Sequence, residues 1–200
     1  MHFTLFASAQ LPCTPWKNGG GTTREIACLP AGACAADFQW RLSIAEIAAS
    51  GPFSVFAGID RVITLLSGDG VRLFTADGHI DHALSQPLQP FAFPGDVALD
   101  CTLLGSTCQD FNVMVRRSFG AAQVQAQHQT WSLPAHGALL VQQGQWRLTL
   151  PDGSTTLLDA SAQDGAHWSD LTGAASVHPL TADAQLLAVT ITPHIGSVGP

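Results

Sequence analysis

The 200-residue chain predicts an all-β protein, and three features carry that expectation. Residues that favour solvent-facing helices are nearly missing: the only lysine is Lys17, and the only glutamates are Glu25 and Glu46. Nineteen glycines and 12 prolines cut the chain into short apolar runs. The Asp-Gly pairs Asp77-Gly78 and Asp152-Gly153, among others, are strong two-residue hairpin signals, because both central positions need positive φ.

The expected strands follow from those runs. Residues 62–66 (VITLL), 71–74 (VRLF), 97–99 (VAL) and 112–115 (NVMV) come first, followed by 138–141 (ALLV), 146–150 (WRLTL) and 186–192. Residues 41–49 alternate only imperfectly, and their Ala and Glu also suit a helix. Arg72-Leu73, just before Asp77-Gly78, recurs 75 residues on as Arg147-Leu148 before Asp152-Gly153. Leu65-Leu66 aligns likewise with Leu140-Val141, and each pair is followed by a Gly-containing turn. Such a repeat of strand, turn, strand and Asp-Gly hairpin is what the double-stranded β-helix of a cupin would show.

The densest cluster of functional groups is PWKNGGGTTREIA, residues 15–27. Gly19, Gly20 and Gly21 allow torsions that other residues avoid and let another group approach the main chain. Around them stand Trp16, Lys17, Asn18, Thr22, Thr23, Arg24 and Glu25: a stacking face, two cations, an amide, two hydroxyls and a carboxylate. The bland alternative is a tight connection that only orders the N-terminus. The glycines are not a phosphate-binding P-loop, since Lys17 precedes them and no Gly-Lys-Ser/Thr follows.

This signature resembles the opening of the HutD/Ves family, small bicupins linked to bacterial histidine utilisation. The resemblance continues in Trp40–Glu46, Gly51-Pro52-Phe53-Ser54, Gly58-Ile59-Asp60-Arg61, Phe93-Pro94-Gly95-Asp96 and Phe111–Arg117, and is looser beyond. It implies that residues 41–49 form a strand and that the chain is a bicupin. Residues 1–120 would then form an N-terminal cupin module carrying the site, with residues 121–200 a second module packed against it.

A net charge of −7 with eight Lys plus Arg argues against nucleic acid or an anionic membrane as partner. Five cysteines without CxxC spacing read as reduced thiols of a cytoplasmic protein. Ala7-Ser8-Ala9 looks like a signal-peptidase site, but no basic region precedes it. A homodimer is compatible with the sequence.

A metal-binding cupin carries a His-x-His pair, a Glu and a later His. Alignment on the first cupin strand puts Phe53–Phe56, Asp60-Arg61 and Leu99-Asp100 at those places, and an arginine there would repel a divalent cation. The expectation is therefore no metal and no cofactor. His79-Ile80-Asp81-His82 could clamp a metal, but it follows a turn, and positions i and i+3 of a strand face opposite sides. No Gly-x-Ser-x-Gly elbow is present.

Lys17, Arg24, Arg61 and Arg116 are half of the basic residues, and all lie in family-like blocks. Arginine pairs with a carboxylate through a planar fork. These four are expected to converge on a ligand carboxylate, with Asn18, Thr22, Thr23 and Asn112 orienting it and Trp16, Phe53, Phe93 and Phe111 as apolar walls. The alternative makes Arg24–Glu25 and Asp60–Arg61 structural ion pairs. The expected function is metal-independent binding of a small anionic metabolite. By the resemblance this would be urocanate or a formyl- or formimino-glutamate, with a regulatory role in histidine breakdown. Two rivals stand beside it. One is a metal-free isomerase or hydrolase with Glu25 or Asp96 as acid/base, and the other is a protein-interaction module.

Overall fold

The computed structural model describes residues 2–33, 37–162 and 164–194, so Cys34 lies outside the described residues. The strands are β1 (His2–Ala7), β2 (Cys13–Pro15), β3 (Gly21–Leu29), β4 (Trp40–Ile47), β5 (Gly51–Pro52), β6 (Ile59–Ser67) and β7 (Val71–Phe74). Next come β8 (Asp81–Leu84), β9 (Pro90–Pro94), β10 (Asp100–Leu103), β11 (Cys108–Arg116), β12 (Gly120–Gln127) and β13 (Trp131–Ser132). The last are β14 (Gly137–Gln143), β15 (Gln145–Thr149), β16 (Thr155–Asp159), β17 (Asp164–Ser169), β18 (Ser176–Pro179) and β19 (Gln185–Pro193). Among the described residues the helical elements are two short 3-10 turns, and no helix is long and apolar enough to cross a membrane.

Two compact units divide the chain: residues 12–121 with 193–200, and residues 1–11 with 122–192. The first holds a six-stranded sheet in the order β2-β3-β4-β11-β6-β9 and a four-stranded sheet β5-β10-β7-β8. The second holds β1-β17-β14-β19-β12 and β13-β18-β15-β16. Raising each strand number in β4-β11-β6-β9 and β5-β10-β7-β8 by eight yields β12-β19-β14-β17 and β13-β18-β15-β16. The fold is thus a cupin-type β-helix repeated strand for strand, and the Arg72/Arg147 repeat marks β7 and β15.

Each unit has its own core. Ile47, Ile63, Leu65, Val71, Leu73 and Phe93 pack in the first, and Leu139, Val141, Trp146, Leu148, Trp168 and Leu186 in the second. Burying each such side chain contributes roughly 1.5–3 kcal/mol.

Three expectations change in detail. Residues 97–99 are not a strand: Val97 closes a turn onto Pro94 O, and pairing begins at Asp100. The Asp-Gly turns are longer than two residues, and only the glycine takes positive φ (75° at Gly78, 82° at Gly153). Their aspartates act through the side chain, Asp77 accepting from His79 N at 3.1 Å and Asp152 from Ser154 N at 2.9 Å. The split expected at residues 120/121 leaves out one exchange: residues 1–11 belong with the later unit, because β1 pairs antiparallel with β17 from His2↔Ser169 to Ala7↔Asp164.

Candidate functional site

The glycine-rich segment is a built turn. Trp16 N donates to Gly21 O at 2.9 Å, Gly19 N to Trp16 O at 3.0 Å, and Gly20 N to the Asn18 side-chain oxygen at 3.0 Å. Gly19 sits at φ 71°, where a side chain is strained. Gly21 is glycine for another reason: a Cβ there would lie 2.1 Å from Glu46 O and 3.1 Å from the Trp16 ring. The turn thus lays Trp16 against β3, where its indole N–H donates to Thr23 Oγ1 at 2.7 Å.

Trp16 and Thr23 open onto a cavity of about 520 Å³ inside the unit of residues 12–121. Lys17 and Asn18, both exposed, stand on its wall with Phe53, Ser54 and Phe56, and Arg41, Ser43, Arg61, Asp110, Asn112 and Met114 also line it. Strand alternation puts these residues there, since β11 turns Asp110, Asn112 and Met114 to one face.

Arg61 is the centre of this lining. Its guanidinium lies 5.4, 5.5 and 5.0 Å from the ring centroids of Phe53, Phe56 and Phe93, within cation–π range. It donates from Nη2 to Asn112 Oδ1 at 2.8 Å, and burial lowers its pKa to about 10, so it stays charged at neutral pH. Asn112 in turn donates from Nδ2 to Asp110 Oδ1. Asp110 is buried, and burial outweighs the nearby Arg61 charge and the Asn112 bond, pushing its carboxyl up to about 7. Arg61 Nε and Asp110 Oδ2 are both buried without a hydrogen-bond partner. A donor and an acceptor left open in this way are costly unless something else meets them.

The second unit shows that the fold does not require these groups. In the first unit β6 and β11 pair Arg61↔Met114, Ile63↔Asn112 and Leu65↔Asp110. In the second, β14 and β19 pair Gly137↔Thr190, Leu139↔Ala188 and Val141↔Leu186. Arg61, Asn112 and Asp110 therefore correspond to Gly137, Ala188 and Leu186. Behind Gly137 the residue equivalent to Phe93 is Trp168, which comes so close that a Cβ at Gly137 would lie 3.1 Å from its ring. One copy is packed with apolar side chains, while the other carries an arginine, an amide and a carboxyl.

Of the residues proposed from sequence, Trp16, Lys17, Asn18, Thr23, Phe53, Arg61 and Asn112 line the cavity, and Phe93 backs Arg61. Thr22, Arg24, Glu25, Asp96, Phe111 and Arg116 do not line it, Phe111 because it alternates with Asp110 and Asn112 on β11. Thr22 and Arg24 alternate with Thr23 on β3 and so face the other way. Glu25 is instead the partner of Arg41, with Oε2 2.7 Å from Nε. Asp96 accepts from Gly58 N at 2.7 Å and pairs with Arg117, which also holds Asp60 at 2.6 Å. Arg116 donates to Phe38 O at 3.0 Å. The pairs Arg24–Glu25 and Asp60–Arg61 do not form, because strand neighbours point to opposite faces. Arg41, Ser43, Ser54, Phe56, Asp110 and Met114 join the site without having been proposed.

The histidine motif divides as its turn suggests. His79 is exposed beside Asp77, while His82 stacks on Phe91 at 3.8 Å. Among the described residues no three His, Cys, Asp or Glu side chains come together as a metal cluster. Cys13, Cys101 and Cys108 are free thiols, and burial raises the pKa of the last two.

Comparison with known proteins places this geometry. Protein Ves of Citrobacter koseri is 38% identical over 195 residues, covering 94% of this chain and 93% of that one. A conserved protein of unknown function from Pseudomonas aeruginosa PAO1 superposes with a TM-score of 0.85 at 32% identity, covering 96% and 99% of the two chains. HutD from Pseudomonas fluorescens SBW25 superposes at 0.76 and 31% identity, covering 96% and 100%. Lactobacillus farciminis oxalate decarboxylase shares the fold alone (TM-score 0.63, 9% identity, 95% and 86% covered). The HutD family model matches residues 8–188, and the chain belongs to the HutD family.

Proposed function

We propose that this protein binds a small carboxylate metabolite, without a metal, in the cavity centred on Arg61. The observation that supports this is the register comparison: Arg61, Asn112 and Asp110 stand where the second unit manages with Gly137, Ala188 and Leu186. Burying charge is costly, so such a difference between two copies of one fold points to a ligand rather than to packing. Arg61 has an open Nε, aromatic rings hold its guanidinium in place, and Arg41 adds a second guanidinium to the lining. Membership of the HutD family directs the choice of ligand to histidine breakdown, namely urocanate or formyl- or formimino-glutamate, with a regulatory role there. Calorimetric titration with these acids, beside melting curves, tests the reading. Saturable binding with thermal stabilisation by at least one is expected, and no heat or shift with any of them would sink it.

One observation favours a second reading, a metal-free enzyme. Asp110, with its carboxyl near 7, suits general acid/base work better than the two carboxylates chosen from sequence. Asp96 is held below its usual range by Gly58 N and Arg117, and Glu25 is spent on Arg41. Conversion of a bound acid, followed by NMR and abolished in Asp110→Asn, would establish it.

A further inference from the structure

The lining of the cavity is polar in the electrical sense, with different chemistry at its two ends. On β11, Met114 lies between Arg41 of β4 and Arg61 of β6. Two residues back, Asn112 lies between Ser43 and Ile63, and two further back Asp110 lies between Ala45 and Leu65. The side chains close that spacing: the Arg61 guanidinium and the Asp110 carboxyl bond opposite sides of the one Asn112 amide, within reach of the two ends of a small acid. Two guanidinium-bearing positions thus mark one end of the row, and a carboxyl among apolar neighbours marks the other.

The two ends are also unequally satisfied. Arg41 is engaged by Glu25 and Arg61 by Asn112 and Ser54 O, so the cationic end is oriented before any ligand arrives. At the far end Asn112 fixes Asp110 through Oδ1 and leaves Oδ2 buried with nothing to accept from. A simple carboxylate seated at the arginines leaves that oxygen unmet, and a second ligand carboxylate beside it would be repelled. A ligand N–H or O–H would satisfy it, and a hydrogen bond to a charged acceptor is among the stronger kinds.

We infer that the ligand is a two-headed acid, its carboxylate at the Arg41–Arg61 end and a hydrogen-bond donor at Asp110 Oδ2, which makes Asp110 the residue that selects among small carboxylates. This rests on the carboxylate-binding reading above and adds the chemistry of the ligand's other end. The test is a matched pair titrated calorimetrically at pH 8: urocanate, whose imidazole carries an N–H, and 3-(2-furyl)acrylate, which has the same chain and a furan oxygen instead. Wild-type protein is expected to prefer urocanate by about 10- to 100-fold, the range for a lost bond to a charged partner. In Asp110→Asn, Asn112 continues to donate to the side-chain oxygen and the new amide N–H₂ faces the ligand, so the preference falls to unity or inverts. A merely structural Asp110 would weaken both compounds together and keep their ratio. Equal binding of the two by wild-type protein overturns this inference and leaves the carboxylate reading standing. Binding of neither overturns this inference too, and the carboxylate reading falls with it only if formyl- and formimino-glutamate also fail to bind.

Discussion

Arg61 and Asn112 lie on neighbouring strands, and the 2.8 Å bond from Nη2 to Oδ1 decides which way the Asn112 amide points. With its oxygen committed to the guanidinium, its N–H₂ must face Asp110. The cation, the amide and the acid form one chain. Replacing Asn112 by Asp would set a carboxylate beside Asp110, whereas Ala would cut the chain and leave both ends buried. Asn112→Ala is expected to lower stability by about 1–3 kcal/mol, the cost of orphaned buried polar groups. Denaturant unfolding measures it, and an unchanged midpoint would show that the chain contributes nothing.

Asp110 should make stability depend on pH in the unusual direction. Its folded carboxyl titrates near 7 and its unfolded one near the ordinary carboxylate value of 3.8, so between those values the folded state carries the extra proton. Stability from this group is full below about pH 4 and is lost as pH rises towards 7. The slope approaches −1.4 kcal/mol per pH unit. Lowered carboxylates such as Asp96 act mainly below this window, and half-buried His167, whose pKa is lowered, acts in the opposite sense within it. The wild-type curve minus that of Asp110→Asn isolates the effect. A difference that is flat from pH 4 to 7 would contradict it.

Asp96 and Arg116 stand in family-like blocks but serve the scaffold. Asp96→Ala releases Arg117 and the Gly58 turn, so a modest fall in melting temperature with unchanged urocanate affinity is expected. A large loss of affinity in the folded variant would return Asp96 to the site.

Gly21→Ala tests the motif turn. The added Cβ meets a backbone oxygen at 2.1 Å, which no side-chain rotation can relieve. A destabilisation of about 1–3 kcal/mol is expected, the usual cost of forced overpacking, together with weaker binding as Trp16 is displaced. A melting curve matching wild type would mean that β3 and β4 can separate at no cost.

The sequence makes the fold legible because strand-sized apolar runs, turn glycines and scarce Lys and Glu all favour the same architecture. The glycine turn and Arg61 were legible for the same local reason: unusual residues in an unusual density. Arg24 was misplaced because adjacent residues on a strand cannot share a face, and Glu25 because it is the partner of Arg41; the expectation treated the motif as one surface. Asp110 was missed because, beside Gln109 and Phe111, it reads as any acidic residue near a strand end. Only its register against Leu65 shows that it points inward. A signal was nevertheless present, since an offset of 76 residues sets Asp110 on Leu186, Asn112 on Ala188 and Arg61 on Gly137, polar in one copy and apolar or absent in the other.

The central claim is that the buried Arg61 guanidinium holds a ligand carboxylate, and titration of Arg61→Gln with urocanate beside wild-type protein tests it most directly. Loss of a charge-assisted bond worth about 1.5–3 kcal/mol should weaken binding by about one to two orders of magnitude. The melting curve of the variant must show it folded under the conditions of titration. A folded Arg61→Gln protein that binds urocanate as tightly as wild type would contradict the account.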